Sequence, residues 1–430
     1  MDRVWLPGVT RRALCQAGLA FLLLAAASGC SSFRGHGVRA RPDVVPAVSD
    51  PQFERSLSAL LDAPVVPGNQ VTALPNGDRF FPSMLEAIRG ARRSITLETY
   101  IYWSGRVGRQ FTEALTNRAH AGVKTRLILD SIGSRYLKGG DLDALRAAGV
   151  EVGMFNRFSL LHPGRVNHRD HRKILVVDGA IGFVGGAGVA DIWEGDADAP
   201  DHWRDAFFRV EGPVVARLQA IFADNWLKVT GQVLAGPEFF PELAPAGDLP
   251  AQAFSGDPRA GTDHVRLMYL MAFAGARKNI RLSMAYFIPC DLTRDELVAA
   301  CERGVAVEII VPNGHIDSRV VLPASRARWG ALLKAGARIY EYQPTMYHCK
   351  GLIVDDAWVS VGSANLDNRS LSSNDEANLN VYSARFAAEQ IGIFDADKAR
   401  SREVTYEAWK HRSFWKRLAE WLTWPVRPLL

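Results

Sequence analysis

The sequence predicts an α/β protein made of two similar halves, related by a pseudo-twofold and sharing one site at their interface. Three observations carry that reading. A phrase recurs: His171-Arg172-Lys173-Ile174-Leu175-Val176-Val177-Asp178 and His348-Cys349-Lys350-Gly351-Leu352-Ile353-Val354-Asp355 both read His-x-Lys-x4-Asp, 177 residues apart. Its surroundings recur too. Gly90-Ala91-Arg92-Arg93-Ser94-Ile95 is echoed by Gly275-Ala276-Arg277-Lys278-Asn279-Ile280, and the run from Gly122 to Leu129 by that from Gly304 to Val311. A repeat of that extent covers whole domains. Helix-patterned and strand-patterned segments also alternate along the chain, the mark of an α/β layer fold.

The chain opens on a targeting pattern. Arg3, Arg11 and Arg12 precede an apolar stretch from Ala13 to Ala27 that ends in Ala27-Ser28-Gly29-Cys30. A basic start, a short apolar region and small residues read as a signal peptide over residues 1–29, with an uncleaved membrane anchor as the alternative. The cysteine after Ala-Ser-Gly resembles a bacterial lipoprotein processing site, which would make Cys30 the lipid-bearing N-terminus. That implies a lipid-anchored protein of the bacterial cell envelope, facing the periplasm. Residues 30–70 are rich in Ser, Pro, Arg and Val without regular periodicity and read as a tether.

The first domain is placed at 71–231. Phe80 to Ile88 has helical apolar spacing, Ser94 to Tyr102 is a β-rich strand, Phe111 to Ala121 is helical and Lys124 to Asp130 is a strand. Pro, Gly and Ala concentrate over 232–256, read as a linker, and the second domain follows at 257–400. The tail, 401–430, mixes Trp409, Phe414, Trp415, Trp421 and Trp424 with Lys410, His411, Arg412, Lys416, Arg417 and Arg427. Such a stretch suits a membrane interface, or a terminal helix docking its aromatics on the domain.

Composition sets outer bounds. At 430 residues the chain can build two cores. Lys+Arg of 51 against Asp+Glu of 46 gives +5, a mild bias that suits an anionic substrate or membrane surface. A nuclease would want a stronger basic groove, so no nucleic acid is expected. Five cysteines without Cys-x-x-Cys spacing exclude a zinc ribbon or a dense disulfide framework, although Cys290 and Cys301 could pair. No His-Glu-x-x-His or Asp-rich loop suggests a metal, and none is expected.

The doubled phrase has a chemical logic. Exchanging a phosphodiester without a metal takes a nucleophile on phosphorus, an acid for the leaving alkoxide and positive charge around the phosphoryl oxygens. Each copy supplies one imidazole and one ammonium, so two facing copies supply everything. Residues i and i+2 of a strand share a face, so His171 and Lys173 face one pocket with His348 and Lys350. The neighbouring lysine disfavours the imidazolium. Asp178 and Asp355 are counted with the catalytic motifs, yet strand parity turns them away and marks them as orienting or structural parts. Cys349 is turned away likewise and reads as a small buried apolar residue.

The motif pair resembles the phospholipase D superfamily. Asn167-His168-Arg169-Asp170-His171-Arg172-Lys173, Trp203-Arg204-Asp205 and Arg209-Val210-Glu211-Gly212-Pro213 resemble its bacterial cardiolipin synthase branch. So do Gly362-Ser363-Ala364-Asn365-Leu366-Asp367-x-Arg369-Ser370 and Asn374-x-Glu376-x-Asn378. The first copy departs from the family's Gly-Ser-x-Asn, with Gly186 and Gly188 at the serine and asparagine positions. The resemblance, over residues 70 to 400, implies two phospholipase D-like domains, each a mixed sheet flanked by helices, a phosphohistidine intermediate, and no cofactor or metal. It implies phospholipid substrates at a membrane surface, phosphatidylglycerol and phosphatidylethanolamine among them. It further implies that His171 is the nucleophile and His348 the acid/base, an assignment near symmetry would allow to be reversed. Ser363 and Asn365 would help Lys173 and Lys350 hold phosphate, and Glu376 and Asp205 would partner the histidines. The activity implied is phosphatidyl transfer. Phospholipase D hydrolysis, another phosphodiesterase and a catalytically idle lipid-binding scaffold are the alternatives.

Overall fold

The computed structural model describes residues 38–156 and 167–430. The expected signal peptide and the lipidation at Cys30 lie outside the described residues.

The first half contributes strands β1 (Val66–Pro75), β2 (Ser94–Thr99), β3 (Lys124–Asp130), β4 (Glu151–Phe155), β5 (Lys173–Val177), β6 (Ile181–Gly185) and β7 (Ala206–Glu211). The second contributes β8 (Leu249–Gly256), β9 (Asn279–Met284), β10 (Ala306–Pro312), β11 (Arg338–Tyr342), β12 (Lys350–Val354), β13 (Trp358–Gly362), β14 (Glu376–Tyr382) and β15 (Ser401–Val404). All fifteen join one mixed sheet. Read outward from the seam, one half runs β1-β7-β6-β5-β2-β3-β4 and the other β8-β14-β13-β12-β9-β10-β11-β15. The order is the same on both sides, as the sequence repeat demands, and β15 is an extra edge. The seam is an antiparallel pairing of β1 with β8, Val66 opposite Ala251 and Asn69 opposite Leu249.

The motif strands lie inside the sheet and are apolar on both faces, so both faces are covered. On β5, Ile174 and Val176 pack with Val215, Leu218 and Ile221 of the helix Val215–Thr230. Leu175 and Val177 point the other way, into a core with Phe80, Phe81 and Phe111 from the helices Gly77–Gly90 and Arg106–His120. The second half repeats this on β12. Leu352 and Val354 join a core with Met268, Ala272 and Leu297, and Ile353 packs with Phe386 and Phe394. One core holds Val71 and Phe208 together with Val361 and Leu379, so apolar packing runs unbroken across the seam.

The expected domain bounds are corrected. Residues 51–60, read as tether, form a helix. Asp50 caps it by accepting from the Gln52 amide at 2.8 Å, Pro51 opens it, and Phe53 and Leu57 are buried against the second half. The first domain's sheet begins at Val66, before the expected 71. The expected linker contains β8, and the expected tail begins with β15; both are strands because their backbone groups complete ladders that the sequence pattern of one strand cannot reveal. Cys290, Cys301 and Cys349 are free cysteines, so the 290–301 disulfide does not form. Among the described residues no helix is long and apolar enough to cross a membrane.

Candidate active site

The two motifs meet because each pairs with the other half's backbone. His171 N donates to Asp375 O at 2.9 Å, just before β14, and His348 N donates to Arg204 O at 2.7 Å, just before β7. Parallel bridges Asp170–Asp375 and Arg204–Tyr347 flank these bonds. The residue after each crossing is an acid, and it reaches the histidine of the opposite motif. His171 Nδ1 lies 2.9 Å from Glu376 Oε2 and 3.0 Å from Oε1. His348 Nδ1 lies 2.6 Å from Asp205 Oδ2. A carboxylate on Nδ1 holds a ring proton there and turns Nε2 to the site, free to attack in a neutral ring or to donate from a protonated one. Each half therefore supplies one imidazole and the acid for the other.

The lysines follow strand parity. Lys173 Nζ donates to His171 O at 2.6 Å and Lys350 Nζ to His348 O at 2.5 Å. Both are buried. Burial, with the charges of Lys173 and Lys350, holds His171 well below its ordinary pKa. His348 is lowered by burial and by Lys350, against the pull of Asp205. His171, the more strongly lowered of the two, is thus the neutral ring, whereas Asp205 favours the protonated form of His348. Burial also brings Lys173 down to about 7 and lowers Lys350. Burial pushes Glu376 up to about 7, opposed by Lys173 and by donors Ser363 Oγ at 2.5 Å and Ser370 Oγ at 2.7 Å.

The bonds of the other candidate residues show what each does. Asp178 and Asp355 take no part in the site. Each sits just past its motif strand with φ 54°, and its carboxylate accepts backbone N–H bonds: Asp178 from Arg92, Arg93 and Ser94, Asp355 from Arg277, Lys278 and Asn279. They fasten the motif strand to the start of β2 and β9. Ser363 is not an open phosphate ligand, since its hydroxyl is spent on Glu376 and it accepts from Ala377 N at 3.0 Å. Asn365 is buried, its amide N bonded to Ser370 Oγ at 3.1 Å, and its Oδ1 has no hydrogen-bond partner. The first copy's Gly186 has a steric reason: a Cβ there would stand 2.3 Å from Asp205 Oδ1. The shorter acid folds over a glycine where Glu376 is held by a serine. Cys349 is buried, and burial pushes its thiol up to about 12.

Other residues emerge only in three dimensions. Tyr100 lies 5.3 Å from the His171 ring and under Lys173 Nζ, while Trp193, Trp203 and Tyr286 surround His348 at 5.4–6.2 Å. The repeat pairs Tyr100 with Tyr286, a signal that could have flagged both. His168 is buried and bonds Asp375 Oδ1 at 2.6 Å. Beneath the first motif Arg172 is fully buried near Glu98 (3.9 Å) and Asp375 (4.0 Å). His168, Asp257 and Asp375 come close enough to hold a metal. Each carboxylate there already has a partner, His168 on Asp375 and Lys228 on Asp257 at 2.5 Å.

Comparison with known proteins agrees with this geometry. The family model described as cardiolipin synthase, PLD-like domain, matches residues 84–225 and 269–398, the two halves of the sheet. The chain is 34% identical over 366 residues to the major cardiolipin synthase of Bacillus subtilis, covering 84% of this chain and 76% of that protein. It is 32% identical over 370 residues to a cardiolipin synthase of Geobacillus kaustophilus, covering 85% and 74%. Among solved structures, phosphatidylserine synthase of Haemophilus influenzae shares the fold with a TM-score of 0.63 at 13% identity, over 88% of this chain and all of that one. The chain belongs to the cardiolipin synthase family of phospholipase D-like proteins.

Proposed function

We propose that this protein transfers a phosphatidyl group from one phospholipid to the hydroxyl of another, forming cardiolipin or a related lipid at a membrane surface. The observation that carries this is the crossed pair of His–carboxylate contacts, which builds a nucleophile and an acid/base in one buried site. His171 Nε2 attacks the phosphorus of phosphatidylglycerol and forms a P–N bond as the P–O bond to glycerol breaks. His348, protonated with Asp205 behind it, gives its proton to that departing alkoxide. It then takes the proton of the incoming headgroup hydroxyl, whose oxygen displaces His171 and restores the free imidazole. Lys173 and Lys350 stabilise the charge on the phosphoryl oxygens. The near symmetry of the halves allows the reverse assignment. A lipid anchor at Cys30 would hold the enzyme at the periplasmic side of a membrane.

The test is incubation with phosphatidylglycerol vesicles, with and without phosphatidylethanolamine, and mass spectrometry of the products. Cardiolipin from the intact protein and none from His171→Ala or His348→Ala is the expected result. Phosphatidic acid alone would make the enzyme a hydrolase, and no histidine-dependent turnover would remove the lipid reading.

A further inference from the structure

The last helix, Phe414–Leu422, is docked with its apolar side outward. At about 100° per residue, Trp421, Phe414, Leu418, Leu422 and Trp415 fall on one arc of about 120°. A surface helix ordinarily buries that arc. Here Phe414 is 68%, Trp415 74%, Trp421 70% and Leu422 60% exposed, with Trp424 at 67% just beyond. What this helix buries is Glu420, gripped by Arg412 Nε and Nη2 at 2.6 Å each, while the Arg412 guanidinium sits 3.9 Å above Trp409. An ion pair thus fixes the polar side inward and leaves the tryptophans in water, where so much indole surface is not stable by itself.

The position of this helix is as telling as its orientation. It rests on the helix Val321–Arg326. The chain then turns back to the site: Leu429 O accepts from Arg369 Nη1 at 3.2 Å, and Arg369 also binds Asn167, just before the first motif. Leu430 packs against the same apolar cluster as Trp203 and Tyr286, the rings that flank His348. Arg417 borders the apolar arc and donates to Lys410 O at 2.5 Å; both basic side chains are exposed and without a carboxylate partner among the described residues.

We infer that the helix Phe414–Leu422 lies in the interface of a bilayer containing anionic phospholipid. Its aromatic arc enters the headgroup–acyl boundary, Lys410 and Arg417 sit among the phosphates, and the rim of the active site is held at the lipid surface. The inference rests on the phospholipid reading of that site. The charge pattern favours lipid over a second copy of the chain, because a twofold contact through this patch would set the same cations against themselves. Indole rings and basic side chains around an apolar face are the composition that interfacial helices use.

The experiment is hydrogen exchange of the full chain, read by mass spectrometry, with and without vesicles of phosphatidylglycerol and phosphatidylcholine. This reads the helix locally, whatever else holds the protein to membranes. Exchange over residues 414–424 is expected to slow roughly fivefold or more with anionic vesicles and far less with pure phosphatidylcholine. Unchanged exchange would overturn the inference. So would slowing that follows protein concentration without lipid, which would make the face a contact between copies. The double variant Trp415→Ser, Trp421→Ser is expected to lose about tenfold turnover on vesicles while matching the intact protein on monomeric short-chain phosphatidylglycerol. Equal loss on both substrates would overturn it. Failure of the intact protein to turn over the short-chain lipid would count against the proposed function, and the exchange result would still decide the helix.

Discussion

His171 and His348 look alike in sequence and are set apart by their acids. Glu376 is held by two serine hydroxyls as well as by His171, whereas Asp205 takes the Ala206 amide at 2.8 Å and bonds His348 at 2.6 Å. If His348 protonates the departing alcohol, its carboxylate matters in the first step only where that alcohol needs a proton. Asp205→Asn is therefore expected to slow cardiolipin formation by roughly 10²-fold, yet to release p-nitrophenolate from phosphatidyl-p-nitrophenol at near the parent rate in the first-turnover burst, since that leaving group departs without an acid. A parallel loss on both substrates would move the acid role to His171. Lys173 makes a second prediction. Burial brings its ammonium to about 7, so its charge is present below that pH and lost above it. In the free enzyme kcat/KM should fall as pH rises through the neutral range. Lys173→Arg, whose charge persists, should flatten that limb even if the rate is lower. A pH–rate profile of both proteins checks this.

At the scale of elements, the motif strand and the turn that ends it do different work. Lys173 to Val177 places the chemistry, and Asp178 closes the turn by gathering the amides that lead into β2. Its odd spacing from the histidine already excluded it from the pocket, but only the left-handed turn shows what the carboxylate holds. Asp178→Ala leaves these amides without their acceptor and is expected to cost about 1–3 kcal/mol, seen as a lower midpoint in urea. At permissive temperature kcat should hold, whereas a catalytic aspartate would lose turnover without loss of stability. The helix Pro51–Leu60 is the opposite case. Asp50-Pro51 is a legible start signal, but two buried side chains in ten residues are too few to announce an amphipathic helix against a Ser- and Pro-rich background.

Over the whole molecule, one sheet and one core make the halves a single unit. Phe53 is buried against the second half and meets Trp358 edge-on at 6.1 Å, so residues ahead of the first strand brace the far domain. Phe53→Ala should cost roughly 3–5 kcal/mol by opening a cavity there, and a thermal melt would show it. Because each motif depends on an acid from the other half, such loosening should lower turnover alongside stability. A melt unchanged within error would mean the segment is peripheral.

What the sequence determined by itself was the repeat, and with it the paired imidazoles and ammoniums, because period-2 geometry fixes which residues of a strand share a face. The two acids, Glu376 and Asp205, were named from resemblance, but which histidine each serves was open. Only the tertiary structure decided that the pairing is crossed, that Ser363 serves an acid rather than a phosphate, and that Gly186 makes room for Asp205. The reason is physical. The crossed pairing joins segments 143 and 205 residues apart, and even Ser363 with Glu376 and Gly186 with Asp205 meet only through neighbouring strands of the folded sheet, which no local pattern encodes.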